Sequence, residues 1–358
     1  MGTLRCGVVR YKFIANNSAP SRRIQHTYGR CSNVTFWYGD LDVNNARKKQ
    51  LSTSSASASL HKGRALTPNI WTIELNCSAE RTEKGRLKMA DTKVYILDGG
   101  TLVIDGFHAF WNRGPGGELR FPAYSVLVDH NDGLYIFDTG YDYDHVQKVL
   151  PFEKPLQTEE QTIPGQLAKL NLKPSDINYV INSHYHFDHC GGNKHLTTAC
   201  TICHEKELEV CACPQPFEML GYSDLTFSSE VAQDRAEKLK TALDPELDIF
   251  TPQFETVTGD QEMAKGLWLF ETPGHTAGHY SMMVELKNRK PMLFTADACY
   301  SQKSMEMMCI SSFHLDPIAS VESLKKLKDL AEKHDAELFY SHDPDTFPEY
   351  VKAPGFYS

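Results

Sequence analysis

His184-Tyr185-His186-Phe187-Asp188-His189 places four side chains that bind divalent metals within six residues. Neutral imidazole and carboxylate are good ligands for zinc and similar ions. In an extended backbone residues 184, 186 and 188 project to one side, and a turn brings His189 round to join them. A solvated polar loop accounts for a lone histidine, but poorly for four donors this close. Four donors can serve two adjacent ions if others arrive from elsewhere in the chain.

Others do arrive, each at the end of a predicted strand. Thr272-Pro273-Gly274-His275 supplies a histidine on a turn shaped by Pro and Gly. Thr295-Ala296-Asp297 supplies a carboxylate able to bridge two ions, and Ser341-His342-Asp343 a last histidine. A single strand-end His or Asp is more often structural; the joint occurrence of all three behind the first cluster carries the reading.

The surrounding pattern from residue 91 alternates strands and helices. A strand begins at Lys93-Val94-Tyr95-Ile96-Leu97. Residues 124–129 and 134–138 read as a hairpin about Asn131-Asp132-Gly133. Residues 163–170 read as a helix, 179–182 as a short buried strand running into the histidine cluster, and 267–271, 281–285 and 292–295 as further strands. An amphipathic helix over 318–334 sets Val321, Leu324, Leu327, Leu330 and Ala331 on one side. A final strand, 338–340, ends at His342. Polar residues after strand ends are the usual carriers of a site on a sheet scaffold. No internal repeat is visible.

The chain has 358 residues, 41% hydrophobic and 23% charged, an ordinary globular balance. No apolar run reaches the ~18–20 residues of a membrane span, and no signal peptide opens it. The formal charge of −9 is unevenly spread. Residues 1–88 hold 15 Lys+Arg against 5 Asp+Glu, a net of +10, and residues 89–358 carry −19. So acidic a body disfavours nucleic acid and favours a small-molecule substrate. The ten cysteines, without secretory signal or framework spacing, point to reduced thiols and a cytoplasmic location. Cys200, Cys203, Cys211 and Cys213 invite a structural zinc reading, but 201–203 reads as a strand, whose residues 200 and 203 face opposite ways.

Residues 1–88 lack sustained periodicity and contain a Ser/Ala-rich stretch, Leu51 to Leu60. A transit peptide, a basic arm and a translation start at Met89 compete as explanations. The favoured one is the start at Met89, because strand patterning begins directly after it. The extension is then a gene-model artefact, expected to be mostly disordered and outside catalysis. The catalytic domain is 89–358.

The order His-x-His-x-Asp-His, then His, Asp and His resembles the metallo-β-lactamase superfamily over nearly all of 91–358. The resemblance implies an α/β fold, an αββα sandwich with metals at one edge between the sheets. It implies that His184, His186 and His275 hold one metal, that Asp188, His189 and His342 hold the other, and that Asp297 bridges. Asp138, in Phe137-Asp138-Thr139-Gly140, matches the superfamily's Asp-x-Gly turn and would orient a ligand by hydrogen bonding. A complete second site points away from true β-lactamases toward the lactonase, thioesterase and nuclease branches. His at 186, where di-iron oxidoreductases of this fold tend to carry Glu, disfavours redox iron chemistry.

Asp297-Ala298-Cys299-Tyr300 is similar to the acyl-homoserine lactonases, whose tyrosine three residues past the bridging Asp assists at the substrate carbonyl. A core aromatic is the structural alternative for Tyr300. A closer resemblance, to the 4-pyridoxolactonase family of vitamin B6 degradation, rests on residues 110–117 (FWNRGPGG), 140–145 (GYDYDH), 150–155 (LPFEKP) and 217–224 (FEMLGYSD), all outside the shared metal motifs. The implied reaction is hydrolysis of 4-pyridoxolactone to 4-pyridoxate. Two Zn(2+) share a bridging hydroxide, Tyr300 faces the oxyanion, and Asp188 or a water passes the leaving oxygen a proton. Phe110, Trp111 and Arg113 are the candidate substrate pocket, though a packed surface turn accounts for them nearly as well. His279 and Cys190 read as supporting or structural residues. The competing activities are an N-acyl-homoserine lactonase with an apolar channel and a glyoxalase II-like thioesterase. The latter usually has a C-terminal helical region, whereas this chain ends sixteen residues after His342. A non-catalytic binding protein of this fold would usually have lost ligands. No membrane partner is expected, a homo-oligomer is compatible with the sequence, and manganese, iron or cobalt also suit such ligands.

Overall fold

A computed structural model describes residues 92–212, 214–222 and 253–358, together with three strands nearer the N-terminus. The chain divides into two units, Met1–Leu87 and Lys88–Ser358. In the first, β1 (Arg10–Lys12), β2 (Ala56–Lys62) and β3 (Trp71–Cys77) form an antiparallel sheet in the order β1-β3-β2. The remainder of the stretch expected to be disordered lies outside the described residues.

The second unit is built on two sheets. Lys93–Asp105 (β4), Glu118–His130 (β5), Gly133–Phe137 (β6), Tyr179–Ile181 (β7), Cys200–His204 (β8) and Gln253–Val257 (β9) form six strands in sequence order. The hairpin expected about Gly133 is present, with His130 opposite Gly133. Strands β6 to β9 are mutually parallel. Gln261–Ala264 (β10), Leu267–Glu271 (β11), Tyr280–Val284 (β12), Met292–Phe294 (β13) and Glu337–Phe339 (β14) form the second sheet.

Alternation along the strands gives each sheet two apolar faces. Val94, Ile96, Val126, Phe137 and Ile181 of the first sheet meet Leu267, Leu269, Met282, Met292 and Phe294 of the second in one buried core. The intervening residues point outward. Leu97, Leu127, Ile136 and Val180 pack beneath Ile163 and Leu167 of a helix over Ile163–Lys169. Met283 and Leu293 meet Leu324, Leu327 and Leu330 of the helix Pro317–His334. Each of these leucines contributes roughly 2 kcal/mol by leaving water. That helix starts where Asp316 accepts from the N–H groups of Ile318 and Ala319, with Pro317 at its first position. The layering is therefore helix, sheet, sheet, helix: the expected αββα sandwich. Among the described residues no helix is long and apolar enough to cross a membrane.

Two readings are refined. The strand expected at 93–97 runs on to Asp105, because Gly99-Gly100 forms a bulge between Asp98 and Thr101 rather than a stop. Cys200, Cys203 and Cys211 are free thiols; Cys203 is buried on β8 and Cys200 half-buried, consistent with opposite faces of a strand.

Candidate metal centre

Each predicted ligand leaves the scaffold where a strand ends. After β7 the backbone carries His184 and His186 into a single helical turn, Phe187–Cys190, that holds Asp188 and His189. His275 follows β11, Asp297 lies in the turn Ala296–Ala298 after β13, and His342 follows β14. All seven residues converge. Ligand atoms of His184, His186 and His275 lie within 4.8 Å of one another, as do those of Asp188, His189 and His342, and of His184, His189 and Asp297. The two expected triads are thus distinct groups, and Asp297 touches both. Its Oδ1 is 3.2 Å from His189 Nε2 and 3.0 Å from His342 Nε2, and its Oδ2 is 3.4 Å from His275 Nε2.

The outer nitrogens of His275, His342 and His189 have partners, which fixes the nitrogen that faces the centre. His275 Nδ1 lies 2.5 Å from the Phe313 carbonyl and His342 Nδ1 2.9 Å from that of Pro122, so both donate outward. His189 Nδ1 sits 2.8 Å from Asp138 Oδ2. Asp138 also accepts from the backbone N–H and the hydroxyl of Ser183, at 2.7 and 2.8 Å. His279 is placed one step back. Its Nε2 accepts from the N–H of Asp297 at 3.0 Å, while Nδ1 faces Thr272 Oγ1 at 2.8 Å. It steadies the bridging carboxylate through the backbone. Cys190 is buried beneath, against Tyr185, away from the ligand atoms.

The inward atoms fit a cation better than they fit each other. His189 Nε2, His342 Nε2 and Asp297 Oδ1 are all buried and none makes a hydrogen bond, despite separations of 3.0 to 3.2 Å. They are close but misaligned, as groups aimed at a common point are. Burial lowers His184, and holds His186 and His275 down at about 3, so their lone pairs are unprotonated. Burial acts the same way on His189 and His342, but Asp297 and Asp188 outweigh it and raise both. Without metal, protons on these two imidazoles balance the buried carboxylates; a bound cation would displace them.

Two cavities flank the ligands. One is bounded by Asp138, Asp188, His189 and His342. The other is bounded by His275, Asp297, Tyr300, Ser311, Phe313 and His314. Tyr300 is buried, with its ring edge-on to His342 at 4.9 Å. Burial and the neighbouring Asp297 raise its hydroxyl well above the ordinary phenol range, so it remains a proton donor.

The 110–117 loop reaches this region by contacts that local sequence does not reveal. Phe110 packs on the cluster that contains Tyr300. Trp111 donates its backbone N–H to the Ile310 carbonyl, and its ring meets His314 edge-on at 4.5 Å. The Arg113 guanidinium donates to the Met307 carbonyl at 3.0 Å, and Phe110, Trp111 and Arg113 all stand outside the residues that line the pocket. The segment 309–314 borders the cavity instead. Its one sequence signal is His314, which has no metal-motif neighbours.

Glu153, in the turn Pro151–Glu153, is buried with Oε2 unpartnered. Burial and the Asp188 carboxylate push it up to about 8, against the pull of His342. A folded-state value above the unfolded one gives a contribution fully present below about pH 4.5 and lost as pH rises toward 8. In metal-free protein, Glu153→Gln should therefore gain stability relative to the parent between pH 5 and 8, by a few kcal/mol at most. Urea unfolding of both proteins at the two pH values measures this; parallel behaviour would show that Glu153 finds a partner in solution.

Residues 119–342 match the family model of the metallo-beta-lactamase superfamily. The N-acyl homoserine lactonase AttM of Agrobacterium fabrum is 31% identical over 277 residues, 75% of this chain and 100% of the relative. The N-acyl homoserine lactonase of Bacillus cereus is 29% identical over 74% of this chain and 100% of its own length. The crystal structure of a quorum-quenching N-acyl homoserine lactone lactonase superposes with a TM-score of 0.61 at 26% identity, covering 74% of this chain and 98% of the other.

Proposed function

The chain belongs to the metallo-beta-lactamase superfamily, and from that premise we propose that it is a dizinc lactonase that opens 4-pyridoxolactone to 4-pyridoxate. That it is a metal-dependent hydrolase of lactones follows from its relatives and its ligand set. The convergence of two ligand triads on one shared carboxylate beside a protonated tyrosine carries the chemistry.

His184, His186 and His275 would hold one ion, Asp188, His189 and His342 the other, with Asp297 between them. When bound, such a pair supplies Lewis acidity and the means to ionise a water near neutral pH. The chain's own groups do the rest. Tyr300 donates its hydroxyl proton as a hydrogen bond to the lactone carbonyl oxygen as negative charge develops there. Asp188, only partly covered, is placed to pass a proton to the ring oxygen as the C–O bond breaks. Water adds across the ester, and the product is a hydroxy acid.

Two readings of the substrate have separate support. The named relatives are N-acyl homoserine lactonases along their whole length, which weighs toward an N-acyl homoserine lactone more directly than any comparison weighs toward 4-pyridoxolactone. Phe217, Met219 and Leu220, exposed on the segment that reaches His186, would suit an acyl chain. The vitamin B6 reading is supported by the stretches outside the metal motif that border the centre. Phe110 packs by Tyr300, Glu153 acts electrostatically on Asp188, and Tyr222 lies against His186. The pocket beside Tyr300, with Phe313 and His314 in its wall, offers aromatic surface to a flat ring.

The deciding experiment is hydrolysis by the zinc-loaded full chain of 4-pyridoxolactone beside N-acyl homoserine lactones of increasing chain length. Fast opening of the former with little acyl-lactone turnover is expected. Turnover that rises with acyl length and spares the pyridoxolactone would move the assignment to quorum quenching. On the better substrate, Tyr300→Phe should lower kcat roughly 10²-fold with zinc content unchanged.

A further inference from the structure

Glu207 lies in the helix Glu205–Ala212 and takes no part in the ligand set, yet its side chain is fully buried. Its surroundings are apolar or weakly polar: Tyr185, Cys190, Cys203, Cys211 and Tyr222 form the adjoining cluster. A carboxylate in such a place is costly unless its hydrogen bonds are made. Here they are made to backbone that carries metal ligands. Oε2 accepts from the N–H of Tyr185, between His184 and His186, at 3.2 Å. Oε1 accepts from the N–H of Gly278, three residues beyond His275, at 2.8 Å. The Tyr222 hydroxyl also donates to Oε2, at 3.4 Å.

These three bonds join three separate pieces of chain. The first two carry all three histidines of one triad. The third, residues 218–222, closes over His186. The Tyr222 ring meets that imidazole edge-on at 4.8 Å, and Phe187 donates its N–H to the Gly221 carbonyl at 2.9 Å. Gly221 is required by closeness: a Cβ there would fall 2.7 Å from His186 Cδ2.

We propose that Glu207 is a positioning residue for the His184/His186/His275 site, fixing the separation of the two ligand-bearing segments and docking the 218–222 segment on His186. This rests on the reading of that triad as a metal site. Glu207 acts through the backbone amides of Tyr185 and Gly278, not through a ligand nitrogen. Gln in its place keeps the volume but presents an NH2 group to an N–H donor, so at least one bond is replaced by two opposed donors.

The test is stepwise zinc affinity of the full chain, measured by chelator competition, with cobalt(II) absorption reporting ligand geometry. Glu207→Gln should weaken one zinc by roughly 10–100-fold, alter the cobalt spectrum of that site, and leave the other zinc near its parental affinity. Equal affinities in parent and variant would overturn the proposal. So would equal weakening of both sites with a lowered metal-free Tm, the signature of a purely structural carboxylate. If Glu207→Gln does not fold, Glu207→Asp decides: it keeps the charge but withdraws it by one methylene, and the same selective loss is required. A parental chain that binds no zinc at all would instead overturn the underlying metal reading.

Discussion

Asp297→Ala is expected to lower kcat/KM by 10³-fold or more, about 4 kcal/mol of transition-state stabilisation, and to leave fewer than two zinc ions per chain. Among the described residues Asp297 is the one carboxylate within reach of both triads, at 3.0 and 3.2 Å from His342 and His189 and 3.4 Å from His275. Burial would by itself make this carboxyl hard to ionise. The facing His342 and His189 outweigh that and hold it well below the usual carboxylate range, so it is ionised near neutral pH. Removing it takes one negative charge from a pocket that must host two dications, and it frees the histidines to repel one another. Asp297→Asn separates charge from shape: it should retain the turn, whose N–H still donates to His279, yet lose affinity nearly as far. Metal content by elemental analysis beside lactone turnover measures both effects. Two bound zincs and near-parental turnover in Asp297→Ala would falsify the shared-carboxylate arrangement.

The ligands were legible in the sequence because their signal is local. Each stands at a strand end, and strand ends are marked by turn residues on either side. Asp138 was legible for the same reason, since Phe137-Asp138-Thr139-Gly140 is a strand followed by a turn. Strand length was less so. The start of the first strand is visible at Lys93 but its end is not: Gly100 takes φ 96° in a bulge and the strand resumes at Thr101. A glycine pair signals a backbone departure without saying whether pairing continues beyond it.

The cavity wall was illegible for a different reason. Trp111 meets His314, and Arg113 meets Met307, across some two hundred residues of chain. Nothing in 110–117 says which segment it will face, so the sequence names Arg113 as a pocket candidate without revealing that its guanidinium reaches the Met307 carbonyl. Glu207 illustrates the same limit. An isolated glutamate in a polar helix pattern looks like solvated surface, and only the packed structure places it under the ligand backbone.

Asp138→Asn should weaken zinc at the Asp188/His189/His342 group by roughly 10²-fold, at least as much as Asp138→Ala. The backbone tolerates the change, since Asp138 sits at φ 56°, a left-handed conformation that Asn adopts readily. The damage is in the tautomer. Asp138 Oδ1 accepts from the Ser183 N–H, and Oδ2 faces both the Ser183 hydroxyl and His189 Nδ1. With Asn, the carbonyl oxygen must stay on the Ser183 N–H, because an NH2 group there would oppose a buried donor. That orientation turns the NH2 group onto His189 Nδ1, where it can only donate. Nδ1 must then accept, and in the neutral ring the proton moves to Nε2, the nitrogen that should face the metal. Alanine leaves Nδ1 without a partner but does not impose the wrong tautomer. Histidine 15N shifts of the metal-free proteins, taken at a pH high enough to make the His189 ring neutral, would report the change, and chelator competition its cost. Zinc affinity unchanged in Asp138→Asn would mean that the Asp138 hydrogen bond does not select the His189 tautomer, and that Ser183 and the turn hold the imidazole without it.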